Sequence, residues 1–284
     1  GHTRDEIKML TPYQTEALTT IIQIQEFAQV LLHGVTGSGK TEVYLQAIAP
    51  ILENGKSALV LVPEIGLTPQ LTDRFRARFG QKVYVYHSAL SAGERYDTWR
   101  NMTWGLPQII IGTRSAIFAP LPKLGLIVLD EEHDNSFKQN SPTPCYHART
   151  VAKWRAELEN CPLILGSATP SLESWLETRK YYRANQTQAS PYLPENPDKN
   201  VFPTDNTQNL TPNTYYLSLP ERIHSRPMPP VEIVDMRQQL RQGNRTMFSY
   251  SLQRALQDLQ ETKQQGILFI PRRGHSTCVS SRSV

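Results

Sequence analysis

Gly34-Val35-Thr36-Gly37-Ser38-Gly39-Lys40-Thr41 joins an apolar run to a helical pattern. It matches the G-x-x-x-x-G-K-[ST] phosphate-binding spacing, and both flanks fit. Before it, Val30-Leu31-Leu32 reads as a short buried strand; after it, Val43, Ala47, Ile48 and Ile51 recur at helical spacing. Glycines let the backbone curl so that main-chain N–H groups and the following helix N-terminus face an anion. On this reading Gly34 through Thr41 hold the phosphates of a nucleoside triphosphate. Lys40 reaches the β/γ-phosphates, and the Thr41 hydroxyl ligates Mg²⁺. The plainer alternative is a Gly-rich turn that only caps a helix; the strand before and the helix after argue against it.

Outward from the loop the same alternation continues. Strand candidates lie at Ala58–Val62, Val83–His87, Gln108–Gly112, Leu124–Leu129 and Leu163–Gly166. Between them Leu71, Phe75 and Phe79 mark one face of a helix. Ser91 with Glu94 forms a capping box opening another, which carries Tyr96 and Trp99. Such alternation predicts an α/β fold, a parallel sheet with helices on both faces and ligands at the carboxyl ends of its strands. Residues 1–183 make this nucleotide-binding unit. Residues 184–214, rich in Asn, Gln, Thr and Pro, read as an exposed polar insertion without fixed structure. Order is expected again at Tyr215-Tyr216-Leu217, at Val231–Val234, in a helix with Leu252, Leu256 and Leu259 ended by Gly266, and in a strand at Ile267–Ile270. One strand and one helix cannot bury themselves, so residues 215–284 read as a connecting segment and the start of a second, incomplete lobe.

Composition sets wider bounds. Among 284 residues, Lys and Arg exceed Asp and Glu by 30 to 26, which permits a nucleic-acid partner without indicating one. Cys145, Cys161 and Cys278 match no metal or disulfide spacing, as in a reduced cytoplasmic protein. No run approaches the roughly 18 apolar residues of a membrane span, so no membrane partner is expected. His133, Cys145 and His147 lack the spacing of a zinc site.

Leu126-Ile127-Val128-Leu129 is a buried-strand run that ends in Asp130-Glu131-Glu132-His133. Carboxylates at the end of a central strand beside a phosphate loop suit nucleotide hydrolysis. Asp130 holds Mg²⁺ and Glu131 orients and polarises the attacking water, with Lys40 as the third catalytic group. An acidic helix N-terminus is the alternative reading.

Together with Gly166-Ser167-Ala168-Thr169-Pro170, this box resembles the motor of superfamily 2 helicases, with its RecA-like lobe. Further segments are similar to the replication-restart helicases of the primosomal protein N′ (PriA) family. They are Val62-Pro63-Glu64-Ile65-Gly66-Leu67-Thr68-Pro69-Gln70, His87-Ser88, Gly112-Thr113-Arg114-Ser115-Ala116, Tyr146-His147-Ala148-Arg149 and Leu219-Pro220-Glu221-Arg222. The resemblance implies an ATP-dependent DNA helicase moving 3′→5′ on single-stranded DNA, with forked DNA and replication-restart (primosome) proteins as partners. It implies that Gln14, in Leu10-Thr11-Pro12-Tyr13-Gln14, contacts adenine, although an ordinary helix start explains that segment equally well. It implies DNA-backbone contacts by Thr113 and Arg114, and coupling of hydrolysis to motion through Glu132, His133, Ser167, Ala168 and Thr169. Phe137 and Lys138 fall in what resembles an aromatic-rich loop sensing single-stranded DNA, where a ring would stack on bases and a lysine attract phosphate. Phe137 could instead be tucked into the core. Tyr146, Arg149 and Lys153 belong to the same surface or to a solvated helix face.

Departures limit what carries over. Cys145 stands where the family has Arg, and Ser281 and Val284 stand where its zinc-binding cysteines begin. Zinc is therefore expected in the full-length family but not in this segment. No helicase-type arginine of the second lobe precedes Val284, so weak hydrolysis is expected of this chain alone. The remaining alternatives are a nucleotide- and DNA-binding fragment without turnover, or a P-loop kinase.

Overall fold

The computed structural model describes residues 7–87, 90–177, 213–223 and 230–268. The chain divides into two units, Gly1–Pro227 and Met228–Val284.

In the first unit the strands are β1 (Gln29–Gly34), β2 (Ser57–Leu61), β3 (Val83–Tyr86), β4 (Ile109–Gly112), β5 (Leu124–Asp130), β6 (Lys138–Gln139), β7 (Tyr146–His147), β8 (Leu163–Ser167) and β9 (Thr214–Leu219). Seven of them form one sheet in the order β3-β4-β2-β5-β8-β1-β9. Every neighbouring pair in it is parallel. Its helices include α1 (Pro12–Gln23), α2 (Lys40–Glu53), α3 (Pro69–Phe79), α4 (Ala92–Thr103) and α5 (Ala148–Glu159), and residues 172–177 are helical too.

Successive strand residues point to opposite faces, so the all-apolar strands feed two cores. Val30 and Leu32 of β1, Ala58 and Val60 of β2, and Leu126 and Val128 of β5 pack with Val43, Ala47 and Ile48 of α2 and with Phe75 of α3. On the other face Leu31, Leu59, Ile127 and Leu165 pack with Met102 of α4 and Ala148, Ala152 and Ala156 of α5. The expected sheet with helices on both faces is what the chain forms. Both halves of the Ser91/Glu94 capping box are made at the start of α4, while Tyr96 and Trp99 of that helix are exposed.

One difference moves the boundary. β9 pairs along its whole length with β1, Gln29 opposite Thr214 through Gly34 opposite Leu219. The first unit therefore extends well past residue 183 and takes its edge strand from the segment read as connecting. Tyr215, Leu217 and Leu219 pack on the α2 face and Tyr216 on the other, so hydrophobic burial on both faces fixes this strand beside β1. The polar insertion falls almost wholly outside the described residues.

The second unit contains helices Met236–Arg241 and Tyr250–Thr262, the latter capped by Ser249 accepting from Leu252 N. Val231–Val234 forms no regular element. The longer helix ends at Lys263, in the left-handed conformation with φ 53°, ahead of Gly266. Ile267 and Leu268 are exposed and in no strand; the rest of that expected strand lies outside the described residues. Among the described residues no helix is long and apolar enough to cross a membrane.

Candidate functional site

β1 ends at Gly34 and α2 begins at Lys40, so the intervening loop curls at the carboxyl edge of the sheet. Gly37 and Gly39 have φ of 81° and 89°, a region where a side chain is strained and glycine is not. Lys40 is buried, its Nζ donating to Gly34 O at 2.7 Å and lying 3.9 Å from Glu131 Oε1. The Ser38 hydroxyl is buried and has no hydrogen-bond partner among the described residues. An orphan of this kind inside a phosphate loop is what an anion oxygen would satisfy. Gln14, Thr36, Gly37, Gly39, Lys40, Thr41, Asp130 and Glu131 line a cavity of about 860 Å³. A glycine cradle, an orphan hydroxyl, a buried lysine and two carboxylates together fit a nucleotide with Mg²⁺.

Gln14 both starts its helix and reaches the phosphate loop. Its Oε1 accepts from Thr11 N at 2.8 Å, completing a capping box, while Nε2 donates to Gly39 O at 3.1 Å. The side chain is buried and lines the cavity.

Asp130 closes β5 opposite Gly166 of β8. The Tyr44 hydroxyl, from α2, donates to Asp130 Oδ1 at 2.7 Å. Only glycine permits this, since a Cβ on Gly166 would fall on the Tyr44 hydroxyl. Burial raises the Asp130 pKa, opposed by that hydrogen bond and by Lys40. Burial and then the charge of Asp130 raise the pKa of Glu131 as well. Glu131 is held at φ 51°, a left-handed conformation a non-glycine residue keeps only when its surroundings impose it.

Beyond Glu131 the box turns away from the cavity. His133 Nδ1 lies 3.7 Å from Glu131 Oε2 and 2.7 Å from Ser167 Oγ, and its Nε2 is 3.2 Å from Thr169 Oγ1. Glu132 is fully buried and accepts from Arg149 Nη1 at 3.0 Å, Ser171 N at 2.6 Å, and the hydroxyls of Ser171 and Ser174 at 3.1 Å each. Ala168 takes part through its backbone, its carbonyl 3.2 Å from His33 Nε2. Of the five residues expected to couple the acidic box to the Ser-Ala-Thr segment, His133 meets Ser167 and Thr169 directly. The Glu132 carboxylate instead reaches Ser171 and Ser174, after that segment, and Ala168 meets His33.

The expected DNA-contacting residues fare differently. Phe137 is fully buried in the core beside α5, so it does not offer a stacking face for a base. The reason is local: Asp134 caps the turn Asn135–Phe137 by accepting from Ser136 N, and the turn swings the ring inward, where burial stabilises it by about 1.5–3 kcal/mol. Arg114 secures the same turn, its Nη1 donating to the carbonyls of Ser136 and Lys138 at 3.3 and 3.1 Å. Lys138 is exposed, and Thr113 lines a separate surface cavity.

Several functional contacts escape the sequence reading. Tyr44 looks like one more apolar helix residue. Glu42, buried one position after Thr41, pairs with Arg74 at 2.9 Å and Arg78 at 3.0 Å. Arg222 Nε donates to Thr36 O at 2.9 Å and Ile223 N to Gly37 O at 2.9 Å, from 186 residues along the chain. No local pattern announces these pairings.

A phosphate loop, an acidic box at the end of β5 and a Ser-Ala-Thr segment bonded to that box are the parts of a P-loop nucleotide-binding lobe. Residues 11–177 match the DEAD/DEAH box helicase family, and the chain belongs to it. It is similar to Replication restart protein PriA from Synechocystis sp., 62% identical over 274 residues, which cover 96% of this chain and 30% of that protein. It is also similar to Replication restart protein PriA from Bacillus subtilis, 46% identical over 267 residues, 94% of this chain and 29% of that protein. The chain thus spans less than a third of the length of these two relatives.

Proposed function

We propose that this chain is the ATP-binding part of a replication-restart DNA helicase in the cytoplasm, coupling ATP hydrolysis to movement on single-stranded DNA at forks. What supports the reading most is one continuous path. It runs from Lys40 Nζ to Glu131 at 3.9 Å, from Glu131 to His133 at 3.7 Å, and from His133 to Ser167 and Thr169 at 2.7 and 3.2 Å. A change at the phosphates has a physical route to the Ser-Ala-Thr segment.

Lys40 and the loop amides bind the phosphates, and Thr41 and Asp130 are the residues that would hold Mg²⁺. When bound, the ion supplies charge neutralisation for phosphoryl transfer. Tyr44 fixes the orientation of Asp130 through Oδ1. Glu131 is the group placed to accept a proton from an attacking water, and its raised pKa makes its carboxylate a stronger base. Glu132 and Arg149 keep the box attached to the segment after Thr169. Lys138, Thr113 and Arg114 remain the DNA-facing residues of the proposal, with attraction to phosphate rather than base reading as their contribution. Residues beyond 227 belong to the second lobe.

Calorimetric titration with Mg·ADP is the direct test. The chain should bind, and folded Lys40→Ala should not; equal affinities would overturn the site. Fluorescence anisotropy with labelled single-stranded DNA should show affinity falling as salt rises. A salt-independent affinity would remove the electrostatic part.

A further inference from the structure

We infer that Arg222 positions the phosphate loop for nucleotide, acting through the Thr36 carbonyl rather than on the nucleotide itself; the inference rests on the nucleotide-binding reading above. After β9 the chain passes over the loop as a short strap. Leu219 Cβ would lie 3.2 Å from a Cβ on Gly34, and Arg222 Nε 3.4 Å from one on Gly37. Arg222 Nε and Ile223 N hold the carbonyls of Thr36 and Gly37, each at 2.9 Å. Ile223 then reaches the cavity wall beside Gly39 and Gln14.

The consequence follows from peptide geometry. In a trans peptide unit the C=O and the next residue's N–H point to opposite sides. Holding Thr36 O from the strap side turns the Gly37 N–H the other way. Holding Gly37 O does the same for Ser38, whose N–H closes a turn on Val35 O at 2.9 Å. On the remaining sides Lys40 Nζ holds Gly34 O and Gln14 Nε2 holds Gly39 O. Thus the carbonyls of Gly34 through Gly37 and of Gly39 all have donors, and two of the five come from the strap. A segment with three glycines in six residues has many other conformations available. Without the strap, binding an anion would first require ordering the Thr36–Gly37 peptide; with it, the Gly37 N–H is already set.

The test is Mg·ADP affinity and melting temperature of the 284-residue chain carrying Arg222→Ala or Arg222→Lys, with Lys40→Ala as reference. Loss of the bond to Thr36 O should weaken Mg·ADP binding by Arg222→Ala about fivefold, with a melting temperature within about 4 °C of the unaltered chain. Arg222→Lys, which can still donate to Thr36 O, should recover part of the loss. Arg222→Ala binding like the unaltered chain, while Lys40→Ala fails to bind, would overturn the inference and leave the nucleotide site standing. Weakened binding with a fall in melting temperature well beyond about 4 °C, or a lysine variant no better than alanine, would overturn it too. An unaltered chain that binds no better than Lys40→Ala would overturn both.

Discussion

Replacing Glu132 by Ala should destabilise the first unit far more than any other change in the acidic box. The carboxylate is fully buried and accepts four hydrogen bonds, from Arg149, the Ser171 amide and the hydroxyls of Ser171 and Ser174. Removing one partner of a buried ion pair costs about 3–5 kcal/mol, because the other charge is left without compensation. Two features place the effect near the lower end. The Arg149 side chain is 21% exposed, and it keeps a bond to Ser171 Oγ at 2.7 Å. About 3 kcal/mol in a unit of this size corresponds to a fall in melting temperature of about 6–12 °C. Glu132→Gln keeps one acceptor oxygen and the shape, so it should lose about half as much. Circular dichroism melts of the two variants give the comparison. A double change, Glu132→Leu with Arg149→Leu, removes both charges and should be milder than Glu132→Ala alone. Should Glu132→Ala melt within about 2 °C of the unaltered chain, the four contacts are not what holds the box to the helix start at Ser171–Ser174, and the magnitude reasoning fails.

Phe137→Ala should cost about 3–5 kcal/mol, as for other fully buried rings, and leave the single-stranded DNA affinity of the folded fraction unchanged. Loss of DNA affinity at constant melting temperature would put the ring back on the surface. Stability in acid should reveal Glu42: burial alone would raise its pKa, but hydrogen bonds from Gln46, Arg78 and Arg74 outweigh burial and lower it. A lowered pKa stabilises the fold above the ordinary value of 4.5, and that contribution disappears as pH falls through the folded value. The urea midpoint of the unaltered chain should therefore exceed that of Glu42→Gln at neutral pH, the gap closing below pH 4.5; a gap independent of pH would refute this.

What was legible in the sequence is what depends on near neighbours. The phosphate loop shows itself because glycine spacing, the lysine and its flanking strand and helix are contiguous. Most of the strands through Gly166 are visible because β2, β4, β5 and β8 are buried on both faces and so are largely apolar. β3, at the sheet edge and half-buried, shows instead through its run of Val and Tyr. Asp130 and Glu131 stand out as charges terminating such a run. Side-chain direction is the part that did not show. An aromatic residue after an acidic box reads equally well as exposed or buried, and for Phe137 the Asp134 cap decides. Nor does Tyr215-Tyr216-Leu217 indicate its partner: any open sheet edge would bury such a run, and the edge available is that of β1. Tyr44 with Asp130, and Arg222 with Thr36, meet only after the sheet has assembled.

The position of β9 bears on how the lobe is made during synthesis. β1 leaves the ribosome before its outer neighbour, which follows about 180 residues later, roughly ten to forty seconds at ordinary translation rates. Throughout that interval one edge of β1 presents an unpaired row of amides and carbonyls on an almost wholly buried strand, available to any wandering segment. A fragment cut at residue 177, where the family match ends, would keep that bare edge permanently. Completion of the sheet is thus a late event: the strand that carries the phosphate loop is flanked on both sides only after the long polar segment has been made.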